Sequence, residues 1–292
     1  MKIDLQKINL NEKLGQGSFG KIYPYQKEPG CQKYVVKVRN NLEFDKLKNA
    51  LQEVIVGFNL DHPSILPYKD FHIEKSTENP AAFQLYIKMP RMKMSLRQLL
   101  DERAASNQGF LPKPAVLKYI KTLLSGLLFL AQKRIAHRDI KPANILVDFK
   151  DNLVLADLGE AKHSLDDDTT DSQLSFRGTV RYMAPELLSL AKRQSMKKQD
   201  LLKADLWSMG VTILEICLLG KARTSSLNSA ETRESEMFQD LVQVSQEYGD
   251  DLAEILLSML QWNPNDRKSI GDVYQSFEQK LMKNNVRNRF LI

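Results

Sequence analysis

Cysteine and histidine are scarce in this sequence. Its 292 residues include two cysteines and four histidines. Cys31 and Cys217 are far apart and lack the close spacing of metal ligands, so free thiols in a reducing compartment are the simplest interpretation. The scarcity argues against a disulfide framework and against a cysteine-based metal site.

Long apolar runs are also missing. The longest uncharged apolar stretch lies between Lys121 and Lys133 and is too short to span a bilayer. The N-terminus, Met1 to Asp4, lacks the apolar core of a signal peptide. We therefore expect a cytoplasmic protein without a membrane span.

The charge balance shows no strong excess of either sign. The formal net charge of +6 and the pI of about 9.1 are modest for a chain of this length. Nucleic-acid binding usually needs basic residues gathered on one face, so we expect no nucleic-acid partner. With 42% hydrophobic and 27% charged residues, the composition is that of an ordinary globular protein, and the length suits one large domain or two packed lobes.

The hydrophobic pattern changes near Pro90. Before it, strands are predicted on both sides of a glycine turn between Leu10 and Ile22, over Tyr34–Val38 and over Phe83–Met89. A helix is predicted from Leu42 to Leu60. Its expected apolar stripe consists of Phe44, Leu47, Leu51, Val54 or Ile55, and Phe58.

After Pro90 the pattern predicts mainly helices. Their expected ranges are Pro114–Arg134, Lys203–Leu219, Glu236–Glu247, Asp251–Gln261 and Ile270–Lys283. Two short strands, Ile145–Asp148 and Leu153–Ala156, interrupt them. We place the boundary between the two parts at residues 90–94, because proline removes a donor from the strand ladder there.

A glycine-rich segment separates the first two predicted strands. It consists of Gly15, Gln16, Gly17, Ser18, Phe19 and Gly20. Glycines allow backbone amides to approach phosphate oxygens closely. The segment leads from strand to strand, whereas a dinucleotide-binding motif leads from strand to helix, which excludes the Rossmann interpretation. Taken alone, the segment is equally compatible with a simple turn.

Lys37 stands in the middle of an apolar strand, between Val36 and Val38. A lysine buried in a strand is costly unless its charge is met. Glu53, on the predicted helix, is a suitable partner, and such a pair could hold phosphate oxygens. The alternative is an edge-strand lysine whose ammonium group reaches water.

The strongest local signal is the segment from His137 to Asn144, which follows an apolar helix. It combines Asp139, Lys141 and Asn144 in one loop. A carboxylate can accept a hydroxyl proton, a lysine can neutralise phosphate charge, and an amide oxygen can bind a metal, which together suit phosphoryl transfer. Asp157-Leu158-Gly159 follows the next strand and offers a second ligand for Mg²⁺.

In this order, the glycine hairpin, the strand lysine, the His-Arg-Asp loop and the Asp-x-Gly segment resemble the protein kinase family. The resemblance extends to Ala184-Pro185-Glu186, to Asp205-x-Trp207-Ser208-x-Gly210 and to Arg267, and it covers residues 8 to 282. It implies an α+β bilobal fold: a small antiparallel-sheet lobe with one main helix (1–89), a hinge (90–92) and a larger, mostly helical lobe (93–292). The whole chain is then a single kinase domain.

The resemblance also implies the site residues. Asp139 orients the attacking hydroxyl and takes its proton, Lys141 contacts the γ-phosphate, Lys37 pairs with Glu53, and Asn144 and Asp157 hold Mg²⁺. The residues that would bind ATP are Leu14, Gly15, Gln16, Gly17, Ser18, Phe19, Gly20, Lys21, Ile22, Val35, Lys37, Met89, Pro90, Met92 and Leu146. Among these, Met89 is the gatekeeper and Pro90 to Met92 form the hinge.

Two structural pairs complete the resemblance. Glu186 should pair with Arg267 to brace the segment after the activation loop. Asp205 should fix the backbone of the His-Arg-Asp turn from a buried helix.

Two features indicate the serine/threonine branch of the family: Lys141 after Asp139, and Gly178-Thr179 ahead of Ala184. In that branch Thr179 hydrogen-bonds the catalytic aspartate and lysine. Arg138 could bind a phosphate on the activation loop, and Ser175 stands where many such kinases carry it, placed by an upstream kinase or by autophosphorylation. An ordinary loop serine is the alternative. Protein substrates are expected, and the oligomeric state is left open.

The sequence departs from the family pattern in four places. Leu158 replaces the usual phenylalanine, and Val35 replaces the usual alanine and narrows the adenine pocket. Gly57 stands where the family usually places a large apolar side chain, so we expect a gap and a less firmly held Lys37–Glu53 pair. The basic segment from Leu187 to Lys203 is longer than usual, and either a docking surface or a solvated loop would explain it.

Two competing functions are weighed against catalysis. A pseudokinase or scaffold would lack a lysine, an aspartate or a metal ligand, whereas Lys37, Asp139, Asn144 and Asp157 are all present. A kinase-like enzyme acting on small molecules would normally lack the Ala-Pro-Glu brace and its arginine. The sequence therefore favours a protein kinase.

Overall fold

The structure is a computed structural model that describes residues 3–17, 20–26, 33–163, 180–190, 200–223 and 230–282. The chain divides into two compact units. The first contains Met1–Lys93 together with Ala156–Glu160, and the second contains Met94–Leu155 and Ala161–Ile292. The first break falls within the expected boundary at 90–94. Ala156–Glu160, which the sequence led us to place in the second lobe, packs with the first unit instead.

The first unit is built on one antiparallel sheet of five strands in the order β1-β2-β3-β5-β4. The strands are β1 (Gly15–Gly17), β2 (Gly20–Tyr25), β3 (Tyr34–Leu42), β4 (Asp70–Lys75) and β5 (Phe83–Pro90). Strand β3 is central, with Lys37 opposite Ile22 of β2 and Ile87 of β5. The β-branched residues Val36 and Val38 are buried on this strand, where they favour the pleated conformation.

Helix α1 (Phe44–Phe58) packs on this sheet within the predicted range. Its buried face contains Leu47, Ala50 and Val54, which form a core cluster with residues of β5. The predicted stripe was wrong at its ends, because Phe44 and Phe58 are exposed. The buried face of α1 also includes Glu53 and Gly57, so that a carboxylate and a glycine face inward.

The second unit contains two small antiparallel sheets. One has the order β6-β8-β9, with β6 at Met94–Ser95, β8 at Ile145–Val147 and β9 at Leu153–Leu155. The other pairs β7 (Ile135–Ala136) with β10 (Lys162–His163). The predicted strands β8 and β9 are present, and each is one residue shorter than expected.

Seven described helices make up the rest of the second unit. They are α2 (Leu96–Ala105), α3 (Lys113–Gln132), α4 (Pro185–Leu190), α5 (Asp200–Cys217), α6 (Ala230–Tyr248), α7 (Asp250–Met259) and α8 (Ile270–Phe277). Helix α2 was not predicted, although a capping box between Ser95 and Gln98 fixes its start. Helix α8 ends earlier than predicted and continues into a π-helical turn at Glu278–Met282.

By length and composition, α3 is the one helix in the described ranges that could cross a membrane. It packs against α5, α8 and β9, and nine of its twenty residues are buried. The core helix of a folded domain has the same length and composition, and these contacts place α3 in the core of the second unit.

Candidate active site

The glycine segment forms the predicted hairpin. Gly15 pairs with Ile22, Gln16 with Lys21, and Gly17 with Gly20. The backbone N–H of Leu14 donates to the carbonyl of Ile22 at 2.9 Å. Gly20 has a φ of 147°, and a Cβ there would lie 2.6 Å from the carbonyl oxygen of Val38, so this position requires glycine. Ser18 and Phe19 lie outside the described residues.

Lys37 is buried and paired with two carboxylates of the first unit. Its Nζ lies 2.8 Å from Oε1 of Glu53 and 2.9 Å from Oδ1 of Asp157. Burial alone would lower the pKa of Lys37, but the two carboxylates outweigh burial and raise it above its ordinary value. The structure therefore forms the predicted Lys37–Glu53 pair. The alternative of an edge-strand lysine is wrong, because β3 is central.

Two further side chains, which the sequence analysis missed, bind the same glutamate. Arg39 Nη1 donates to Oε2 of Glu53 at 2.9 Å, and the Tyr68 hydroxyl donates to Oε1 at 2.8 Å. Arg39 lies two residues after Lys37, hence on the same face of β3, and this spacing could have indicated it. Tyr68 lies beyond the end of α1 and gave no such signal.

The expected gap at Gly57 is absent, so that prediction was wrong. A Cβ at Gly57 would lie 2.5 Å from Cδ2 and 2.6 Å from Cε2 of Tyr68. The tyrosine ring therefore occupies the space that the missing side chain leaves. The Lys37–Glu53 pair is held at 2.8 Å with the glycine in place.

The other predicted nucleotide-binding positions in the first unit lie on or just after the sheet. Val35 and Met89 are buried partners on β3 and β5. Pro90 is the last residue of β5, where the lack of an N–H is tolerated, and Met92 follows in the segment that ends this unit. In the second unit, Leu146 of β8 is half-buried and faces away from its buried neighbours Ile145 and Val147.

The His-Arg-Asp turn of the second unit is held by Asp205 of α5. The backbone N–H groups of His137 and Arg138 donate to the two carboxylate oxygens of Asp205 at 2.6 and 2.8 Å. Arg138 adopts a left-handed conformation with a φ of 69°, which is strained for a residue of this size. Burial raises the pKa of Asp205, although His137 and the two amides oppose this shift. Asp205 thus fixes the turn, as expected.

Asp139, Lys141 and Asn144 meet on the loop that follows. Lys141 Nζ lies 2.8 Å from both carboxylate oxygens of Asp139. Asn144 Nδ2 donates to the carbonyl oxygen of Asp139 at 2.9 Å and to its Oδ2 at 2.6 Å. The carboxylate is thus oriented by a cation and an amide, an arrangement able to accept a proton beside a developing negative charge.

The predicted metal ligands have suitable chemistry for Mg²⁺, which prefers oxygen donors. Asn144 uses its Nδ2 to orient Asp139, which leaves the amide oxygen for a cation. Asp157 presents a carboxylate from a backbone with a φ of 63°. A non-glycine residue in this left-handed conformation, here two residues after the end of β9, is strained, and such strain is concentrated at functional sites.

The predicted brace between Glu186 and Arg267 is present and bidentate. Arg267 Nη1 donates to Oε1 of Glu186 at 2.8 Å, and Nη2 donates to Oε2 at 3.0 Å. The arginine is buried, also donates to the carbonyl oxygens of Gln261 and Lys203, and its guanidinium lies 5.2 Å from the Trp207 ring. Arg267 therefore ties α4 to α5 and to the segment after α7.

Several predicted features lie outside the described residues. They are Ser175, Thr179 and the basic cluster of Lys192, Arg193, Lys197 and Lys198. The phosphate that Arg138 is expected to bind would be carried by Ser175, outside the described residues.

Comparison with known proteins agrees with this geometry. The family model of the protein kinase domain matches residues 8–277. The chain is 30% identical over 282 residues to serine/threonine-protein kinase ULK3 of Xenopus laevis, covering 92% of this chain and 54% of that protein. It is 30% identical to mitogen-activated protein kinase kinase kinase 3 of Arabidopsis thaliana, covering 94% and 42%.

An Aurora kinase of Patiria pectinifera is 26% identical to the chain, covering 93% of this chain and 62% of that protein. The chain therefore belongs to the eukaryotic-type protein kinase family, in its serine/threonine branch. It spans about half the length of the first curated relatives it matches.

Proposed function

We propose that this chain transfers the γ-phosphate of ATP to serine or threonine hydroxyls of protein substrates. The observation that carries the proposal is the Asp139 carboxylate, held by Lys141 and Asn144 in the second unit. The intact Lys37–Glu53 pair of the first unit supports it.

In this mechanism Asp139 orients the acceptor hydroxyl and accepts its proton as the oxygen attacks phosphorus. Lys141 neutralises charge that develops on the transferred phosphoryl group, and the leaving group is ADP. Asn144 and Asp157 would hold Mg²⁺, which supplies further neutralisation of phosphate charge when bound.

The nucleotide is held mainly by residues of the first unit. The hairpin from Leu14 to Ile22 offers backbone amides to the phosphates, because its glycines leave the backbone accessible. Lys37 contributes its positive charge to the α- and β-phosphates. Val35 and Ile22, together with Leu146, contact the adenine, next to the gatekeeper Met89. The Pro90 carbonyl and the Met92 amide offer hydrogen bonds to the base.

Regulation, location and partners extend the proposal. Thr179 binds Asp139 and Lys141, and phosphorylation of Ser175, by an upstream kinase or by the chain itself, orders the activation loop through Arg138. The enzyme acts in the cytoplasm, and its substrates are proteins that it phosphorylates on serine or threonine. The names of the relatives support the acceptor class.

The direct test incubates the protein with Mg·ATP and a peptide array and compares wild type with Asp139→Asn. We expect transfer to serine and threonine peptides, reduced on the order of a thousandfold in the variant because the amide cannot accept the proton. Asp61→Asn, at an exposed carboxylate in the loop after α1, is the matched control and should retain wild-type rates.

Two outcomes of this experiment contradict the proposal. Absence of transfer by the wild type on any peptide, with nucleotide bound, would favour a pseudokinase or scaffold. Equal transfer by Asp139→Asn would remove Asp139 from its role. The gap expected at Gly57, which would have loosened the Lys37–Glu53 pair, is filled by Tyr68.

A further inference from the structure

Tyr68 and Gly57 form a matched pair in the first unit. The Tyr68 ring lies where a side chain at Gly57 would be, and a Cβ at Gly57 would come within 2.5 Å of it. No real Cβ tolerates that distance, so the glycine and the ring depend on each other. Tyr68 is buried, and its hydroxyl reaches Oε1 of Glu53 at 2.8 Å.

Ring packing alone does not explain why residue 68 is a tyrosine with a hydroxyl group and not a phenylalanine. Burying a phenol without a partner is costly, and phenylalanine would fill the same volume without that cost. The partner here is a fully buried carboxylate, and a hydrogen bond to a charged acceptor is stronger than a neutral one. The hydroxyl is therefore matched to Glu53.

The charges around Glu53 explain why a neutral donor suits this position. Lys37 and Arg39 carry two positive charges, and Glu53 and Asp157 carry two negative charges, all joined at 2.8 to 2.9 Å. A third cation would leave this cluster with an uncompensated charge, whereas Tyr68 adds a donor and no charge. Burial and Glu53 hold the pKa of Tyr68 well above its ordinary value, so the hydroxyl keeps its proton.

Tyr68 also faces the segment that carries Asp157. The backbone of Leu158 lies close enough to the Tyr68 hydroxyl to oppose the upward shift of its pKa. Glu53 on α1 and Asp157 of the Asp-Leu-Gly segment both contact Lys37.

We propose that Tyr68 is a positioning residue that holds Glu53 against Lys37, and that Gly57 is required as glycine to admit the Tyr68 ring. This inference rests on the proposed phosphoryl transfer. It assigns Tyr68 no contact with the nucleotide, and its effect reaches the phosphates through Glu53 and Lys37.

The first experiment removes only the hydroxyl, with Tyr68→Phe. We expect the KM for ATP to rise about threefold to tenfold, because Glu53 loses a charge-assisted hydrogen bond and Lys37 is held less firmly. The KM for the peptide should stay within about twofold. Binding of a fluorescent ATP analogue should weaken by the same factor as the KM for ATP rises, which gives a readout independent of transfer.

A double-mutant cycle separates this role from packing. In a Glu53→Ala background the change from Tyr68 to phenylalanine should no longer alter nucleotide affinity, since the acceptor is gone. An equal loss of affinity in both backgrounds, or no loss in either, would overturn the positioning role. A change in thermal midpoint alone, with nucleotide affinity unchanged, would also overturn it.

The second experiment tests the glycine. A helical Gly→Ala change is normally stabilising, but Gly57→Ala should lower the thermal midpoint by about 4 °C or more because the new Cβ meets the ring. In a Tyr68→Ala background the same change should raise the midpoint. If that background does not fold, the milder Tyr68→Val takes its place.

Gly271→Ala is the matched control, because a Cβ at this helical glycine would meet only Ser269 Oγ at 3.7 Å. It should leave the midpoint unchanged or raise it by about 2 °C. A stabilising Gly57→Ala in the wild-type background would overturn the pairing. The wild type could prove inactive while Gly57→Ala still lowers the thermal midpoint in the wild-type background and raises it in the Tyr68→Ala background. That result would overturn the proposed function and leave the Gly57–Tyr68 pair intact.

Discussion

The two clusters of the candidate site are held together in different ways. In the first unit, Lys37 and Arg39 of β3, Glu53 of α1, Tyr68 and Asp157 meet through side-chain contacts, one of which spans 120 residues of sequence. In the second unit, Lys141 and Asn144 lie two and five residues from Asp139 and are held on one loop. The first cluster therefore depends on tertiary packing, and the second depends on the local backbone.

Substitutions in the two clusters should therefore have different effects. Substitution within the first cluster leaves other donors and acceptors in place, so the fold survives while the geometry around Lys37 loosens. The second cluster is anchored at a single carboxylate, Asp205, which supports a strained turn. Three substitution and titration experiments test the contrast.

The largest effect is expected for Asp205→Ala. The buried backbone N–H of His137 and the part-buried N–H of Arg138 lose their acceptor, and the left-handed Arg138 loses its support. We expect the free energy of unfolding to fall by about 3 kcal/mol, measured by urea denaturation. Asp205→Asn, which keeps one acceptor oxygen, should lose about half as much. Equal stability of the alanine variant and wild type would contradict the anchoring role.

A smaller loss of stability is expected for Lys37→Met. Glu53 keeps Arg39 and Tyr68 as donors, so we expect a loss of about 2 kcal/mol, below the cost usual for a broken buried pair. Phosphoryl transfer should fall on the order of a hundredfold, because the charge that meets the phosphates is gone.

Arg39→Met is the matched control for Lys37→Met, since it lies on the same strand and binds the same glutamate. It leaves Asp157 paired with Lys37 and should cost about 1 kcal/mol, with a much smaller loss of transfer. Equal losses of transfer in the two variants would show that only the total charge around Glu53 matters.

The smallest effect concerns pH. The folded-state pKa of Lys37 lies above its ordinary value of 10.5, so its contribution to stability is fully present below that value. The contribution is lost only as the pH rises through the raised folded-state pKa. The stability difference between wild type and Lys37→Met, measured by urea denaturation, should therefore stay constant between pH 7 and about 9.5. A difference that shrinks within this range would contradict the strong pairing.

The same contrast explains how much the sequence could predict. The segment from His137 to Asn144 places its chemistry within eight residues, so its spacing alone pointed to the site. The lysine within an apolar strand suggested the Lys37–Glu53 pair, and the resemblance to protein kinases implied both this pair and the Glu186–Arg267 pair. Arg39 and Tyr68 were missed, because no local pattern shows which side chains will reach a carboxylate on another element.

The sequence predicted the presence of most helices, but it predicted their buried faces less well. The apolar stripe assigned to α1 included Phe44 and Phe58, whereas the buried face passes through Glu53 and Gly57. Hydrophobicity alone could not identify a face that buries an ion pair and a tyrosine ring. Helix α2 was missed because few of its residues are buried, although the capping box at Ser95 marked its start.

The contact between Gly57 and Tyr68 constrains how this domain could diverge over time. A larger residue at 57 arriving first would overlap the ring, and a smaller residue at 68 arriving first would leave a cavity beside Glu53. A substitution at either position alone therefore produces a destabilised protein. We expect descendants of this chain either to retain both residues or to exchange them together.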